Sequence, residues 1–257
     1  MGPVGRRAEL SRALLLLGIA SSSLTCRPAS PAPAPPPTPL RYVELVTGGA
    51  RPDAALPMIV GVHGLGDSPR GFAPLLETLP FPARLILPAG PLPSGDGHSW
   101  FPVRVRDRDP EALARGIEVT LPALAALVQD VAQRRPTVGK PVVTGFSQGG
   151  IMSFALIAAY PDRFRGAVPI GGLLPPRLFP SGRAGPPVLA LHGAVDEIVP
   201  LDGCQATVSA FERAGYPITL KAYDGVGHQV TPPMQAQLFL ALRTLTSTGA
   251  EAPKKWN

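Results

Sequence analysis

One six-residue segment, Gly-Phe-Ser-Gln-Gly-Gly at positions 145–150, constrains this chain more than any other part of its sequence. It follows the apolar run 141–144 and precedes 151–160, which is apolar enough to form a buried helix. Gly-x-Ser-x-Gly between a strand and a helix is typical of a sharp turn that presents a nucleophilic serine, here Ser147. Small residues are needed on both sides because the strand and the helix pack closely against this turn. The free N–H groups of the helix would then face the reaction centre.

The pattern alone is weak evidence, because the chain has 28 glycines in 257 residues and a glycine-rich turn with an idle serine is the alternative. A working site also needs an acid and then a histidine after the serine. Asp196 follows the apolar run 187–191, and His228 follows the strand candidate 218–223. Both side chains are therefore expected beside Ser147, at the carboxyl edge of a parallel sheet.

Other residues compete for these roles. Glu197 stands next to Asp196, but neighbouring side chains point in different directions, so the sequence favours Asp196 as the acid. Asp196 could also be a turn or helix-cap carboxylate. His63 and His192 directly follow strand candidates and are expected to brace loops, whereas His98 precedes the serine and is out of order for this kind of site.

An upstream loop offers a place for the oxyanion that forms when a carbonyl is attacked. The strand candidate 58–62 runs into the segment 63–68, His-Gly-Leu-Gly-Asp-Ser. This loop can direct the backbone N–H of Leu65 towards the oxyanion, beside the backbone N–H of Gln148. The sequence thus predicts two backbone donors for the oxyanion.

These stretches together resemble the phospholipase/carboxylesterase family, which includes the acyl-protein thioesterases. The resemblance covers about residues 41–245 and implies a serine hydrolase that cleaves carboxylic esters or thioesters through an acyl-enzyme intermediate. It implies Ser147 as nucleophile, Asp196 as acid, His228 as base and the N–H groups of Leu65 and Gln148 as oxyanion donors. It calls for no metal and no organic cofactor. The segments that carry it are 63–68, 99–101, 145–150, 192–200 and 227–228.

The resemblance also implies substrate-binding residues and leaves alternatives open. The family carries a Trp-aromatic pair near its acyl-binding site, which points to Trp100 and Phe101. Pro102 departs from the pattern, since many relatives have an acidic residue there. Two other functions remain: a secreted polyester or plant-ester depolymerase on the same fold, and a catalytically silent surface-binding protein.

Composition and hydrophobic pattern predict the fold class. Hydrophobic residues make up 45% of the chain and charged residues 16%, which fits one packed globular enzyme domain. Short apolar strands alternate with helical patterns, so we expect a mostly parallel, doubly wound sheet flanked by helices. The resemblance implies that this is the α/β-hydrolase fold, and the length of the folded part leaves little room for a separate lid, so no large lid domain is expected. Pro122 predicts a kink or a break in its helix. The Pro/Gly-rich stretch 88–102 is the expected substrate-facing loop. Strands are predicted at 42–46, 58–62, 84–88, 141–146, 167–170, 187–191 and 218–223, and helices near 71–78, 111–134, 149–160, 203–214 and 232–246.

The N-terminus indicates export. Residues 1–25 have a basic start, a short apolar core and small residues, as in a secretory signal peptide. Cys26 resembles the lipidated cysteine of bacterial lipoproteins, with ordinary cleavage near Ala20 or Thr25 as the alternative. Residues 26–40 form a Pro/Ala-rich linker, and 41–250 the catalytic domain. We therefore expect an exported protein, anchored to a membrane by lipid or otherwise secreted.

Charge and cysteine content narrow the partners. The formal net charge is +6, but the basic residues are scattered and no patch suggests nucleic acid, so an ester substrate of small-molecule or lipid-like kind is expected. Arg104, Arg106 and Arg108 alternate with Asp107 and Asp109, and the sequence favours a solvated loop over an anion site there.

The second cysteine, Cys204, is predicted to be a semi-buried apolar residue that forms no disulfide.

Overall fold

The structure is a computed structural model that describes residues 1–2, 39–247 and 256. Cys26 and most of the predicted signal peptide and linker lie outside the described residues.

A seven-stranded sheet forms the centre of the fold, and a separate two-stranded hairpin lies beside it. The strands are β1 (Tyr42–Val46), β2 (Met58–Val62), β3 (Arg84–Pro88), β4 (Leu92–Ser94), β5 (Gly97–Ser99), β6 (Val142–Phe146), β7 (Gly166–Ile170), β8 (Val188–Gly193) and β9 (Ile218–Tyr223). The sheet has the order β1-β3-β2-β6-β7-β8-β9, and β4 pairs with β5. Strand β1 runs antiparallel to β3, and every other pair in the sheet is parallel. The predicted α/β class with a mostly parallel sheet is confirmed.

Helices cover both faces of the sheet because its strands are apolar on both sides. In β2, Met58 and Val60 belong to one hydrophobic core, while Ile59 belongs to the core on the opposite face. Residues of α2, α3 and α4 fill the first core, and residues of α1 and α5 fill the second. The helices are α1 (Pro69–Phe72), α2 (Pro110–Arg134), α3 (Gln148–Ala159), α4 (Leu201–Arg213) and α5 (Pro232–Thr246).

Two helix predictions need correction. The helix expected near 71–78 is only the single turn α1 followed by a 3₁₀ turn at Ala73–Leu75, because Pro74 cannot continue an α-helix. The break expected at Pro122 does not occur, and α2 is one helix of 25 residues. Pro122 lies on the exposed face of α2, where water can satisfy the carbonyl that loses its partner.

Strands β4 and β5 were not predicted. They lie within the stretch 88–102, and Gly95 occupies their turn with a φ of +57°. The hairpin packs on the loop after β2: Gly66 donates to the carbonyl of His98 at 2.8 Å, and His98 donates to the carbonyl of Asp67 at 2.8 Å. A Cβ at Gly97 would lie 2.3 Å from the Gly66 carbonyl oxygen, so glycine permits this close approach.

Cys204 lies on α4 and is fully buried rather than semi-buried. Burial raises the pKa of its thiol to about 12, so it behaves as a small apolar residue. Among the described residues, no helix is both long enough and apolar enough to cross a lipid bilayer.

Candidate active site

Ser147 stands on a sharp turn between β6 and α3. Its φ of +58° and ψ of −119° lie where side-chain-bearing residues are rare, so the surrounding structure must hold it there. Its backbone N–H donates to the carbonyl of Ile170 on the neighbouring strand at 3.0 Å, which fixes the turn to β7.

Glycines on both sides of Ser147 allow the close packing that the sequence predicted. A Cβ at Gly145 would lie 2.5 Å from the backbone carbon of Gly149. A Cβ at Gly149 would lie 1.9 Å from the carbonyl oxygen of Val62 and 2.8 Å from that of His63. The first turn of α3 therefore rests directly on the end of β2.

We expect Gly149→Ala to destabilise the fold by about 3 kcal/mol, because the new methyl group meets rigid backbone. For a domain of this size, that loss lowers the thermal midpoint by roughly 6–12 °C in circular dichroism. Gly227→Ala is the matched control, since its Cβ would have its nearest neighbour, the Val195 carbonyl oxygen, at 3.9 Å. A Gly149→Ala protein with the same thermal midpoint as the wild type would contradict the close packing of this turn.

The structure brings Ser147, His228 and Asp196 into one hydrogen-bonded row. His228 Nε2 lies 2.9 Å from Ser147 Oγ, and His228 Nδ1 lies 2.7 Å from Asp196 Oδ2. They stand after β6, β9 and β8, at the carboxyl edge of the sheet. Glu197 is exposed and forms no bond to the histidine. Of the two candidate acids, the geometry selects Asp196.

The surroundings of Asp196 favour its ionised form. Its Oδ1 accepts the backbone N–H groups of Ile198 at 2.9 Å and Val199 at 2.8 Å. Burial works to raise the pKa of this carboxyl, but the hydrogen bonds from His228, Val199 and Ile198 outweigh it and hold the pKa below its usual range. An ionised Asp196 accepts a hydrogen bond only, so the His228 proton lies on Nδ1 and Nε2 is free to accept from Ser147.

Backbone contacts hold the acid loop against the histidine loop. Ala194 donates to the carbonyl of Tyr223 at 2.9 Å, and Val195 donates to that of Val226 at 3.0 Å. The ring of Phe146 packs on the ring of His228 with 4.7 Å between centroids. None of these three contacts was predicted, because partners so distant in sequence leave no local pattern.

The two buried histidines, His63 and His192, brace loops. His63 Nε2 accepts from the Gly90 N–H at 3.0 Å, and its Nδ1 contacts the Gly64 carbonyl at 2.7 Å. His192 Nε2 contacts the Val199 carbonyl at 2.8 Å. Burial lowers the pKa of both rings, so they stay neutral near pH 7.

The backbone N–H groups of Leu65 and Gln148 flank the serine and have no protein acceptor within residues 39–247. Gln148 begins α3, so its N–H lies at the positive end of the helix dipole. Leu65 lies in the loop after β2, which His63 and the β4–β5 hairpin hold in place. Both residues line the cavity in front of Ser147.

The side chain of Gln148 has a second role that the sequence did not reveal. Its Oε1 accepts from Ser99 Oγ at 3.1 Å and from the Trp100 N–H at 3.0 Å, and its Nε2 donates to the Phe101 carbonyl at 3.0 Å. These bonds fix the segment 99–101 over the start of α3. The partners are 47 to 49 residues apart in sequence, so no local spacing pattern could predict these hydrogen bonds.

The structure places Phe101 in the wall of the cavity beside Ser147 and Trp100 outside that wall. Trp100 is fully buried, does not line the cavity, and donates through Nε1 to the His63 carbonyl at 3.0 Å. It therefore supports the loop that carries Leu65.

The cavity beside Ser147 has a volume of about 250 Å³ and mostly apolar walls. Phe101 is the one residue of the stretch 88–102 that lines this cavity. The segment that faces the cavity is therefore Val103–Arg106, which follows the stretch predicted from the sequence. In the part of the chain that the structure describes, no group of three or more His, Cys, Asp or Glu side chains is arranged to hold a metal ion. The lining residues are Leu65, Phe101, Val103, Arg104, Val105, Arg106, Ser147, Gln148, Ile151, Ile198 and Val199.

Comparison with known proteins identifies a family and relatives that are named as enzymes. A family model described as phospholipase/carboxylesterase matches residues 45–244. A probable carboxylesterase of Oryza sativa subsp. japonica is 28% identical over 192 residues, which span 67% of this chain and 71% of that protein. Acyl-protein thioesterase 1 of Eremothecium gossypii is 24% identical over 224 residues, which span 80% of this chain and 94% of that protein.

Solved structures show the same fold. Esterase PE8 superposes with a TM-score of 0.70 at 23% identity, covering 81% of this chain and all of that one, 100%. The carboxylesterase of Bacillus cereus gives a TM-score of 0.66 at 18% identity, covering 78% of this chain and 92% of that one. At such low identity the likeness establishes the α/β-hydrolase fold and not the substrate.

Proposed function

The chain belongs to the phospholipase/carboxylesterase family of α/β-hydrolases and is a hydrolase of esterase or thioesterase type, and we propose that Ser147 is its nucleophile. One observation carries the proposal: His228 lies within hydrogen-bonding distance of both Ser147 and Asp196, at 2.9 and 2.7 Å. A nucleophile, a base and an orienting acid in this arrangement perform acyl transfer on several unrelated folds.

In the proposed reaction, His228 Nε2 takes the Ser147 proton as Oγ attacks the carbonyl carbon of the ester or thioester. The tetrahedral intermediate then collapses, and His228 returns the proton to the leaving alcohol or thiol. Water attacks the resulting acyl-Ser147 by the same route and releases the acid. Asp196 remains ionised and holds the imidazole in the tautomer that can accept the serine proton.

The oxyanion of this intermediate is proposed to lie between the N–H groups of Leu65 and Gln148. Both groups are held by structure outside the reaction centre, so they need no reorganisation when charge develops. A single donor of this kind typically contributes about 3 kcal/mol to transition-state stabilisation. Apolar walls from Phe101, Val103 and Ile151 suit the hydrocarbon part of the acyl group.

A substrate panel tests the function. Purified protein should hydrolyse para-nitrophenyl butyrate, and one fluorophosphonate group should be found on Ser147 by peptide mass spectrometry. Thioesters, lysophospholipids and polyesters in the same panel separate an esterase from a thioesterase or a depolymerase. A folded protein that neither labels nor turns over any of them would support the silent binding protein instead.

We also propose that the enzyme is exported and carries a lipid on Cys26, a proposal that rests on the sequence of residues 1–40. The proline-rich linker would hold the catalytic domain away from the membrane surface. Mass spectrometry of the mature protein from its native host should show an N-terminal Cys26 with a diacylglycerol mass. An unmodified mature N-terminus would refute it.

A further inference from the structure

We infer that the preferred substrate of this enzyme is an ester that carries an anionic group, a carboxylate or a phosphate, bound by Arg104 and Arg106. The inference rests on the proposed function and names the class of ester that the site selects. Both arginines line the cavity that contains Ser147 and the start of α3. Among the residues that the structure describes, no aspartate or glutamate lines that cavity, so the only charged side chains in its walls there are positive.

The acidic residues of the same loop are occupied elsewhere. Asp107 accepts the backbone N–H of Arg104 at 2.8 Å, and Asp109 accepts the N–H of Ala112 at 2.8 Å as the cap of α2. The acidic and basic side chains that alternate in the sequence therefore have different partners in the structure. The two carboxylates accept hydrogen bonds from backbone N–H groups, and two of the three arginines, Arg104 and Arg106, line the cavity.

Neither Arg104 nor Arg106 forms an ion pair with any residue between 39 and 247. Exposed arginines elsewhere in the domain do find carboxylates: Arg134 pairs with Asp130, and Arg183 with Asp162 at 2.6 Å. An anion held by the two loop arginines would thus gain charge-assisted hydrogen bonds without displacing an internal partner.

The position of the pair explains how charge would act on reactivity. A guanidinium group can donate two parallel hydrogen bonds to two oxygens of one carboxylate or phosphate. Apolar surroundings lower the local dielectric constant and so strengthen this attraction relative to that in bulk water. Arg104 also lines an adjoining groove of about 230 Å³, whose mostly apolar lining includes Arg108 and the α2 cap Asp109. An anionic ester would be drawn to the cavity and held with its carbonyl near Ser147.

Matched pairs of esters test the inference. One pair places a carboxylate in the acyl part: the mono-para-nitrophenyl ester of adipic acid against para-nitrophenyl hexanoate. The other places a phosphate in the alcohol part: monobutyrylglycerol phosphate against monobutyrylglycerol. We expect kcat/KM for the charged member of at least one pair to exceed that of its neutral partner by about tenfold. The preferred pair also tells which anion, and which side of the ester, the arginines receive.

Charge-removing variants assign the preference to these residues. Arg104→Gln and Arg106→Gln should each lower the charged-to-neutral ratio severalfold, and the double variant should abolish the preference. Arg115→Gln is the matched control, since it removes one exposed positive charge from α2 at a site that does not line the cavity. It should leave both rates unchanged. Raising salt from about 0.05 M to about 0.5 M should weaken the preference of the wild type.

The outcomes separate this inference from the proposed function. If neutral esters are hydrolysed but no charged member is preferred, or if the double variant keeps the preference, the arginine site is refuted and the hydrolase stands. If the wild type hydrolyses no ester at all, the proposed function fails first.

Discussion

Ser147→Ala is expected to lower kcat for para-nitrophenyl butyrate by about 10⁶, since the proposed mechanism forms the acyl-enzyme on Ser147. The fold should persist, because alanine keeps the Cβ and the backbone N–H that bonds to Ile170. Within residues 39–247, the only side-chain hydrogen bond lost is the one to His228. The assay is hydrolysis at saturating ester, with circular dichroism and the thermal midpoint as measures of folding.

Ser153→Ala provides the matched control for this substitution. Ser153 is a buried serine on α3, the helix that follows Ser147, and its hydroxyl donates to the Gly149 carbonyl at 2.7 Å rather than to the site. Its loss should leave hydrolysis near the wild-type rate. If Ser147→Ala retains substantial turnover, the nucleophile has been misassigned.

Asp196→Asn is expected to reduce kcat by about 10⁴, by analogy with the corresponding change in serine proteases. The surrounding donors predict how the asparagine would sit. Two backbone N–H groups, those of Ile198 and Val199, point at Oδ1, so the amide oxygen must remain there. The amide NH₂ then faces His228 Nδ1, which must accept. The proton moves to Nε2, and the imidazole can no longer accept from Ser147.

Glu197→Gln is the control, because it changes the adjacent, exposed carboxyl in the same way. We expect nearly normal rates for Glu197→Gln and an unchanged thermal midpoint. Should Asp196→Asn hydrolyse the ester normally while Glu197→Gln is inactive, the acid would have to be reassigned.

The sheet could be predicted from the sequence because its strands are short, apolar on both faces and separated by helices. Strands such as β2 and β9 have the predicted bounds. The hairpin β4–β5 was not predicted, because the prolines at 91 and 93 suggest a loop. Its two strands also pack on the loop after β2, a contact that no local sequence pattern shows. The break that was one of the two outcomes predicted at Pro122 is absent, and sequence alone does not show that this proline lies on the side of the helix that faces water.

The candidate site was predictable to the extent that chain order and strand ends determine it. Ser147, Asp196 and His228 each follow a strand of the same parallel sheet, so topology brings them together. The residues that shape the cavity were not predictable in this way. Val103, Ile198 and the side chain of Gln148 come to the site from distant segments of the chain. The bond from Trp100 Nε1 to the His63 carbonyl likewise joins residues far apart in sequence.

Gln148 joins two parts of the site that are usually considered separately. Its backbone N–H is one proposed oxyanion donor, and its side chain holds the segment that carries Phe101. An acyl group that displaces Phe101 would strain the same residue that must stabilise the transition state. Poorly fitting acyl chains should therefore react slowly even when bound, and discrimination between them should appear in kcat more than in KM.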